Sequence, residues 1–247
     1  MTELIDISLY NGERELLALR TGILSDVVDR FVLIEGTHTF QGDQRLPSRE
    51  VEFLVDTSMG TPRQREQAQR DWRVPLPDDA IVMMSDIDEI PDPKVLRWLR
   101  DNFDPSEFYA LEQAWHVNYL NVRVLSEHRW VGTTICSAGN YRRHGAQALR
   151  HASGMVTLRD AGWHWSFLGG ADEVKRKIRS YARNEHNTQE IFDRVEQRLA
   201  DNVHPTGREQ PLVTLDLDAQ WHSQVGRYHY SDYVLENRDA LAHLIRL

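Results

Sequence analysis

Short apolar runs alternate with segments of helical spacing through the first hundred residues of the chain. The apolar runs predict strands at 4–9, 30–35 and 80–85, and the intervening and following segments predict helices at 13–24, 63–72 and 94–100. Strands that alternate with helices are typical of right-handed βαβ units, whose strands form a largely parallel sheet. We therefore predict an α/β fold with a Rossmann-like sheet flanked by helices.

The second half of the chain has a less regular pattern. Aromatic and β-branched residues are concentrated at 107–124, 130–135 and 162–167, which predicts further strands and a mixed, mostly parallel sheet. Helical spacing returns at 174–181, 191–199 and 233–247, whereas 201–216 is expected to be a loop. Because no repeat or linker divides the sequence, we expect one domain over residues 1–247.

Polar residues stand where three of the predicted strands end. Asn11, Glu35 and Asp86 each lie at or just after the end of an apolar run. In parallel α/β sheets, ligands bind beyond the carboxyl ends of the strands. These residues are therefore predicted to converge on one cleft.

Composition narrows the possible partners and compartments. The 29 Lys and Arg residues are outnumbered by 38 Asp and Glu, the net charge is −9, and no basic run could follow a phosphate backbone, so nucleic acid is not expected as a partner. A single cysteine, Cys136, excludes an internal disulfide and fits a reducing cytoplasm. Residues 1–10 do not resemble a signal peptide and no run of 18 apolar residues occurs, so we expect no transmembrane segment.

The run from Ser85 to Pro91 contains the strongest candidate chemistry. Asp86 and Asp88 follow a short apolar strand, and Asp92 with Pro93 predicts the start of a helix directly afterwards. Two carboxylates held close together repel unless a cation compensates, and their oxygens suit Mg²⁺ or Mn²⁺. An acidic turn without metal is the alternative interpretation of the same spacing.

A second candidate lies at 160–172, where a Trp-His-Trp-Ser run precedes a glycine pair. In a strand, Trp163 and Trp165 face one way and His164 the other, so His164 could complete a metal site or could be a hydrogen-bonded core histidine. Asp172 and Glu173 lie in the first turn of the next predicted helix, where carboxylates serve either as dipole partners or as a general base.

The helix that follows carries five cations within nine residues, from Lys175 to Arg183. In an acidic protein such a cluster could bind a diphosphate, but a solvated helix face explains it equally well. The tryptophans of the second half could stack on sugar rings, although most are expected in the core.

Taken together, these motifs resemble glycosyltransferase family 17, which contains the β-1,4-mannosyl-glycoprotein N-acetylglucosaminyltransferases. The resemblance is to a soluble microbial or viral type and extends over most of the chain. It rests on Asn11-Gly-Glu13 with Leu16-Leu-Ala-Leu-Arg20, on the segment 26–35 with Thr39-Phe-Gln-Gly42, on Glu66 with Arg70, on the run 85–91, and on the segment 162–170 with Lys177 and Ser180.

The resemblance implies a GT-A type fold, UDP-GlcNAc as the donor, a glycan hydroxyl as the acceptor and inversion at the anomeric carbon. Residues 1–100 would bind the nucleotide sugar, and residues 101–247, with the C-terminal helices, would bind the acceptor. The implied site roles are metal binding for Asp86, Asp88 and His164, and donor binding for Asn11, Glu13, Glu35, Arg70, Asp86 and Lys177.

The sequence departs from the family pattern beside the glycine-initiated helix. Arg183 replaces a histidine of bacterial relatives, and Asp172 stands where the family has a glutamate. We predict Asp172 as the general base of an Mn²⁺- or Mg²⁺-dependent transferase, with Glu173 and Glu185 as the next candidates. The alternatives are a noncatalytic carbohydrate-binding protein and a sugar nucleotidyltransferase, although no triphosphate-binding loop is found near the N-terminus.

Overall fold

The computed structural model describes residues 2–126 and 129–247. The strands are β1 (Leu4–Tyr10), β2 (Arg30–Gly36), β3 (Phe53–Val55), β4 (Ile81–Asp86), β5 (Glu89–Pro91), β6 (Tyr109–Val117), β7 (Val122–Val124), β8 (Trp130–Ser137), β9 (Val156–Leu158), β10 (Gly162–Ser166), β11 (Leu212–Thr214), β12 (Trp221–His222) and β13 (Gly226–Arg227). The helices are α1 (Arg14–Leu24), α2 (Pro62–Arg70), α3 (Pro93–Asp101), α4 (Ala138–His144), α5 (Ala146–Arg150), α6 (Gly170–Ser180), α7 (Gln189–Ala200) and α8 (Asp232–Glu236). Two 3₁₀ turns follow at Asn184–His186 and Ala242–Leu244.

One mixed sheet organises these elements. Its order is β11-β7-β6-β8-β4-β1-β2-β3, with β10 and β9 also paired to β6, and β5 paired to β10. Within the described residues, all its strands run in the same direction except β5, β7 and β8. The predicted α/β fold with a mixed, mostly parallel sheet is therefore confirmed.

The central strand β1 is buried on both sides because both faces of the sheet are covered. Every residue of β1 is buried. Leu4 packs with Leu16 and Leu19 of α1 on one face, whereas Ile5 packs with Leu149 of α5 on the other. Asp6 and Ser8, which alternate with Ile5, Ile7 and Leu9 in β1, are therefore buried as well, and Asp6 is paired with Arg20 of α1.

The predicted start of α3 is confirmed. The carboxylate of Asp92 accepts a hydrogen bond from the Lys94 backbone N–H at 2.7 Å, and Pro93 occupies the first turn. The strand β5, which the sequence did not predict, pairs His164 with Glu89 and so attaches the Asp86–Asp88 turn to β10.

The helix predicted at 233–247 is wrong beyond Glu236. Only α8 and a short 3₁₀ turn form there, because the last residues bond to a loop beside β6 instead of continuing a helix. The Leu244 carbonyl accepts from the Leu120 N–H at 2.8 Å, and the Arg246 N–H donates to the Asn121 side chain at 2.9 Å. None of the helices in the described ranges is long and apolar enough to cross a membrane.

Candidate active site

A cavity of about 550 Å³, here called the main cavity, opens beyond the carboxyl ends of β1, β4 and β10. This is the edge at which α/β sheets bind ligands. Its charged lining side chains are six basic ones, Arg63, Arg70, Arg150, Lys177, Arg183 and Arg208, and four acidic ones, Glu13, Glu66, Asp86 and Asp88. In a protein of net charge −9, this local excess of positive charge favours an anionic ligand.

A buried arginine fixes the Asp86–Asp88 turn from the side of α1. The Arg20 guanidinium is inaccessible to solvent and binds both carboxylate oxygens of Asp6, each at 2.6 Å. It also donates to the Ser85 hydroxyl at 2.6 Å and to the Glu89 carbonyl at 2.8 Å. One side chain therefore connects β1, β4 and β5 and determines the path of the backbone through the turn.

Glu89 is buried completely and closes the turn from within. It accepts hydrogen bonds from the Asp86 backbone N–H and from the Trp130 indole N–H, both at 2.9 Å. Arg150 of α5 donates to both of its oxygens, at 3.0 and 2.7 Å. Both carboxylate oxygens of Glu89 therefore already accept hydrogen bonds from groups within the protein. Glu89 supports the turn, and Asp86 and Asp88 are left to face the cavity.

Asp86 is held by two arginines. One of its oxygens accepts from Arg70 at 2.8 Å, and the other accepts from Arg150 at 3.0 Å. Burial raises the pKa of Asp86, but the charges of Arg150 and Arg70 outweigh it and keep that pKa below its ordinary value. Asp86 is therefore ionised, and both of its oxygens are already bound.

Asp88 faces a lysine and a histidine. Its Oδ2 atom lies 2.6 Å from Lys177 Nζ and 3.5 Å from His164 Nε2. Burial raises the pKa of Asp88, but Lys177 and His164 bring it well below its usual range. Burial in turn lowers the pKa of Lys177, and the charges of Asp88 and Glu13 more than offset this and raise it. Asp88 and Lys177 are thus a charged pair on the cavity wall.

His164 is packed against two tryptophans. Its ring centroid lies 3.9 Å from that of Trp130 and 6.1 Å from that of Trp115, and its plane is within 24° of each indole, although the two indoles are tilted by 44° to each other. The Nδ1 atom is buried and has no hydrogen-bond partner in the described part of the chain. The stacking fixes the ring so that Nε2 points toward Asp88.

A family model of glycosyltransferase family 17 matches residues 59–204, more than half of the chain, including the Asp86–Asp88 turn, His164 and Lys177. The chain belongs to glycosyltransferase family 17. It is therefore a glycosyltransferase, and it acts on a sugar donor and an acceptor. The predicted family is confirmed.

The other comparisons place fewer constraints on this family 17 protein. No curated protein matches it. Among solved structures, it is similar to the inositol-1-phosphate CTP transferase from T. maritima, with 10% sequence identity and a TM-score of 0.36. That similarity covers 82% of this chain and 98% of the other.

Several residues predicted to bind the donor do line the main cavity of this glycosyltransferase: Asn11, Glu13, Arg70, Asp86 and Lys177. Asn11 and Glu13 also join elements to one another. The Asn11 amide donates to the Ser180 hydroxyl at 2.8 Å, and the Glu13 carboxylate accepts from the Asn11 backbone N–H at 2.8 Å. The start of α1 is thereby held against the end of α6.

Glu35 does not line the main cavity. Its carboxylate is fully buried at the end of β2, where it pairs with Arg45 and accepts from the Ser48 backbone N–H at 2.9 Å. Arg45 also donates to the Asn11 side chain at 2.6 Å. Glu35 therefore touches the cavity wall only through Arg45 and Asn11.

The three candidate bases lie outside the main cavity lining. Glu173 is bound to Arg176 at 2.7 Å, and Glu185 lies 3.8 Å from Arg183 on the surface. The side chain of Asp172 is exposed and forms no hydrogen bond or ion pair with the residues that the structure describes. Its role as the base stays a prediction.

Three residues that shape the site were given no role there from the sequence: Arg20, Glu89 and Arg150. Arg20 had a readable signal, because it stands one turn after Leu16 on the apolar face of α1, where a charge needs a buried partner. Glu89 adjoins the Asp86–Asp88 pair, so its carboxylate was also visible. Arg150 lies about sixty residues away, and no local pattern connects it with the turn.

The side chains present suit a divalent ion only in part. Within the described residues no group of three His, Cys, Asp or Glu side chains is arranged to hold a metal. However, the 3.5 Å between Asp88 Oδ2 and His164 Nε2 is compatible with two ligands of one ion. Mg²⁺ is commonly held by one or two carboxylates and the phosphates of a substrate, so two protein ligands suffice for a phosphate-bound ion. Asp86 differs, because its oxygens bind arginines.

Proposed function

We propose that the protein is a metal-dependent, inverting glycosyltransferase that transfers GlcNAc from UDP-GlcNAc to a hydroxyl of a glycan. The observation that carries the proposal is the convergence of Asp88, His164 and Lys177 on the main cavity of a family 17 chain. A carboxylate, an imidazole and an ammonium group at one point suit a diphosphate that carries a divalent ion. The choice of UDP-GlcNAc rests on the family resemblance.

In this proposal, Asp88 and His164 hold Mn²⁺ or Mg²⁺, and phosphate oxygens of the donor supply further ligands. The bound ion would neutralise the charge that develops on the diphosphate as its bond to the sugar breaks. Lys177, now paired with Asp88 at 2.6 Å, would pair with a phosphate oxygen. Arg70 and Arg150 keep Asp86 ionised at the same rim.

The division into a donor half and an acceptor half is part of the proposal. Asn11, Glu66 and Arg70, from residues 1–100, line the main cavity. Trp115 and Trp130, from residues 101–247, line it as well. In the proposal, the nucleotide lies against the first set and the acceptor hydroxyl approaches along the second.

Asp172 is proposed to take the proton of the acceptor hydroxyl. In its favour, its carboxylate is free of partners among the described residues, whereas Glu173 is bound to Arg176 and Glu185 adjoins Arg183. General-base catalysis contributes about 10²- to 10⁴-fold, so Asp172→Asn should lower turnover by about that factor while donor binding is kept. Glu173→Gln and Glu185→Gln, measured beside it, identify the base if it is another of the three.

Calorimetry with UDP-GlcNAc and Mn²⁺ tests the proposed donor and metal together. Wild type should bind the nucleotide sugar more tightly with Mn²⁺ than with EDTA, and Asp88→Asn should remove that difference. Asp218→Asn, at an exposed aspartate paired with Arg238 away from the main cavity, is the matched control and should behave as wild type. If wild type bound no UDP-GlcNAc at millimolar concentration with Mn²⁺, the proposed donor would be wrong.

A further inference from the structure

Two more cavities adjoin the main cavity along β6. The edge cavity, of about 400 Å³, shares Trp115 and Trp130 with the main cavity. The outer cavity, of about 540 Å³, shares Ala114, Arg123 and Asp160 with the edge cavity. Each is within the size range of small-molecule sites. The shared lining residues place the three cavities next to one another in this order, and we call them together the path.

The path passes from one face of β6 to the other. Neighbouring strand residues point to opposite faces, so Trp115 lies on the side of His164, whereas Ala114 and His116 lie on the side of Trp163. The pairing of β6 changes from β8, whose first residue, Trp130, pairs with Gln113, to β7, whose Arg123 pairs with His116. Ala114 and Trp115 lie between these two pairs and line the edge cavity, and we take this break in the ladder as the route of a ligand from one face of β6 to the other.

The edge and outer cavities contain polar groups whose bonding is incomplete. Gln113 lines the edge cavity, and its side-chain oxygen is buried with no hydrogen-bond partner in the described ranges. His116 lines the outer cavity and is 2% exposed, and its Nδ1 atom also has no partner there. Both atoms are closed off from solvent, so they make the walls of the two cavities polar without being contacts for a ligand.

An unpaired guanidinium stands where the two cavities meet. The Arg123 side chain forms no hydrogen bond or ion pair with a described residue, and burial lowers its pKa. Asp160, also shared by both cavities, lies 3.6 Å from Arg129. Because charges of both signs are present, the path favours a neutral molecule with many hydroxyl groups over a polyanion.

The outer cavity ends at an exposed tryptophan. Trp221 lies on β12 of the β12–β13 hairpin, and its side chain is 63% exposed. A large exposed aromatic ring beside a polar cavity is typical of a binding surface. Flat indole rings pack against the apolar faces of sugar rings, and Tyr228 adds a second aromatic side chain to this cavity.

We propose that the edge and outer cavities bind the acceptor, a neutral oligosaccharide of at least three sugar units. The accepting unit lies against Trp115 and Trp130 at the main cavity, the middle of the chain passes Arg123, and a distal unit stacks on Trp221. This inference rests on the proposed function, because it assigns the acceptor of the same transfer reaction.

The test measures binding of defined sugars to the intact chain. An array of mannose-, glucose-, galactose- and GlcNAc-containing oligosaccharides identifies a bound glycan, and calorimetry then compares that glycan with its terminal monosaccharide. Trp221→Ala should weaken binding of the oligosaccharide about tenfold and leave the weak binding of the monosaccharide unchanged. Trp98→Ala is the matched control, since Trp98 is also exposed, at 52%, but lines none of the three cavities.

The affinity for UDP-GlcNAc with Mn²⁺ is measured on the same variants, which separates this inference from the proposed function. If the wild type does not bind UDP-GlcNAc, the proposed donor is wrong. If Trp221→Ala binds UDP-GlcNAc as the wild type does but binds the glycan more weakly, the result supports the acceptor path. Equal glycan affinities of Trp221→Ala and Trp98→Ala would overturn it. So would an array in which no oligosaccharide binds more tightly than its monosaccharide.

Discussion

The two sides of the Asp86–Asp88 turn differ in how their charges are neutralised. On the side of α1, Arg20 and Asp6 form a bidentate ion pair sealed from solvent. On the side of the main cavity, Lys177 pairs with Asp88 through one oxygen at the wall of an open space. The first pair has no room for a ligand, whereas the second adjoins 550 Å³ of it.

This difference separates structural charges from charges available for chemistry. A buried pair that loses one member leaves an uncompensated charge in the interior, and the protein loses stability. A pair at a cavity can exchange one partner for a charged ligand at lower cost. A carboxylate with a shifted pKa is therefore a candidate for function only if it adjoins a space that a ligand can occupy.

The largest effect is expected from Arg20→Met. This change leaves Asp6 buried without its partner and removes the bonds to Ser85 and the Glu89 carbonyl. The free energy of unfolding should fall by about 3–5 kcal/mol, measured by chemical denaturation. Arg14→Met, at an exposed arginine of the same helix, should stay within about 0.5 kcal/mol of wild type. Equal losses in the two variants would contradict the structural role of Arg20.

Lys177→Met tests the cavity side. If Lys177 pairs with the leaving diphosphate, kcat/KM for sugar transfer should fall about 10²- to 10³-fold, as for other groups that stabilise developing charge. Its loss of unfolding free energy should be smaller than that of Arg20→Met, because Asp88 keeps His164. Lys175→Met is the control on the same helix, since Lys175 pairs with Glu196 on the surface. Activities that fall equally in both variants would remove Lys177 from the mechanism.

Local pattern was sufficient to predict the parts of the fold that are built from nearby residues. The βαβ alternation gave β1, α1, β2, α2, β4 and α3 within a few residues. The strand β5 was not predicted, because three residues after a turn carry little periodicity and its pairing partner, β10, is about seventy residues away. The C-terminal segment likewise has helical spacing but bonds to Leu120 and Asn121.

The residues of the site show the same difference between what nearby sequence predicts and what distant or loop residues decide. Asp88 and His164 were predicted as neighbours, and their side chains do meet. Glu35 was expected in the cleft because it ends β2, but the nearby Arg45 and Ser48 engage its carboxylate instead. Strand ends therefore locate the edge of the sheet that binds ligands, and the loop side chains that cover it decide which residues stay accessible.

His204 combines features of both sides of the turn. It lines the main cavity, but it is as buried as Arg20 and Asp6. Burial, helped by the charges of Arg208, His186 and Arg198, lowers the pKa of His204 to about 3. The unfolded chain binds this proton near pH 6.5, so it holds more protons than the native state between these values, and stability falls as the pH falls.

The expected loss at His204 is about 2 kcal/mol of unfolding free energy between pH 7 and pH 5. His204→Asn should remove that part of the pH dependence, because an amide oxygen can still accept from Thr206, whose hydroxyl lies 2.9 Å from Nδ1. Denaturation curves at the two pH values measure it. An unchanged slope in the variant would mean that His204 is not held neutral in the native state.

Trp130→Phe gives the smallest effect and tests whether the two sides of the turn are independent. The indole N–H of Trp130 donates to the buried Glu89 at 2.9 Å, while its ring stacks on His164 at the cavity. Phenylalanine keeps an aromatic ring but loses the donor, and Glu89 retains Arg150 and the Asp86 N–H. Unfolding free energy should therefore fall by only about 1 kcal/mol.

Donor affinity measured on Trp130→Phe then decides how closely the two sides are coupled. If Glu89 only supports the turn, the affinity for UDP-GlcNAc with Mn²⁺ should change little, because Asp86 and Asp88 keep the partners that face the main cavity. Donor binding is the readout because Trp130 itself is assigned to the acceptor. Trp98→Phe, at an exposed ring on α3, controls for a general effect of exchanging tryptophan for phenylalanine. A clear loss of donor affinity in Trp130→Phe, with little change in stability, would show that the buried Glu89 carboxylate is coupled to the cavity and that the two sides of the turn are not independent.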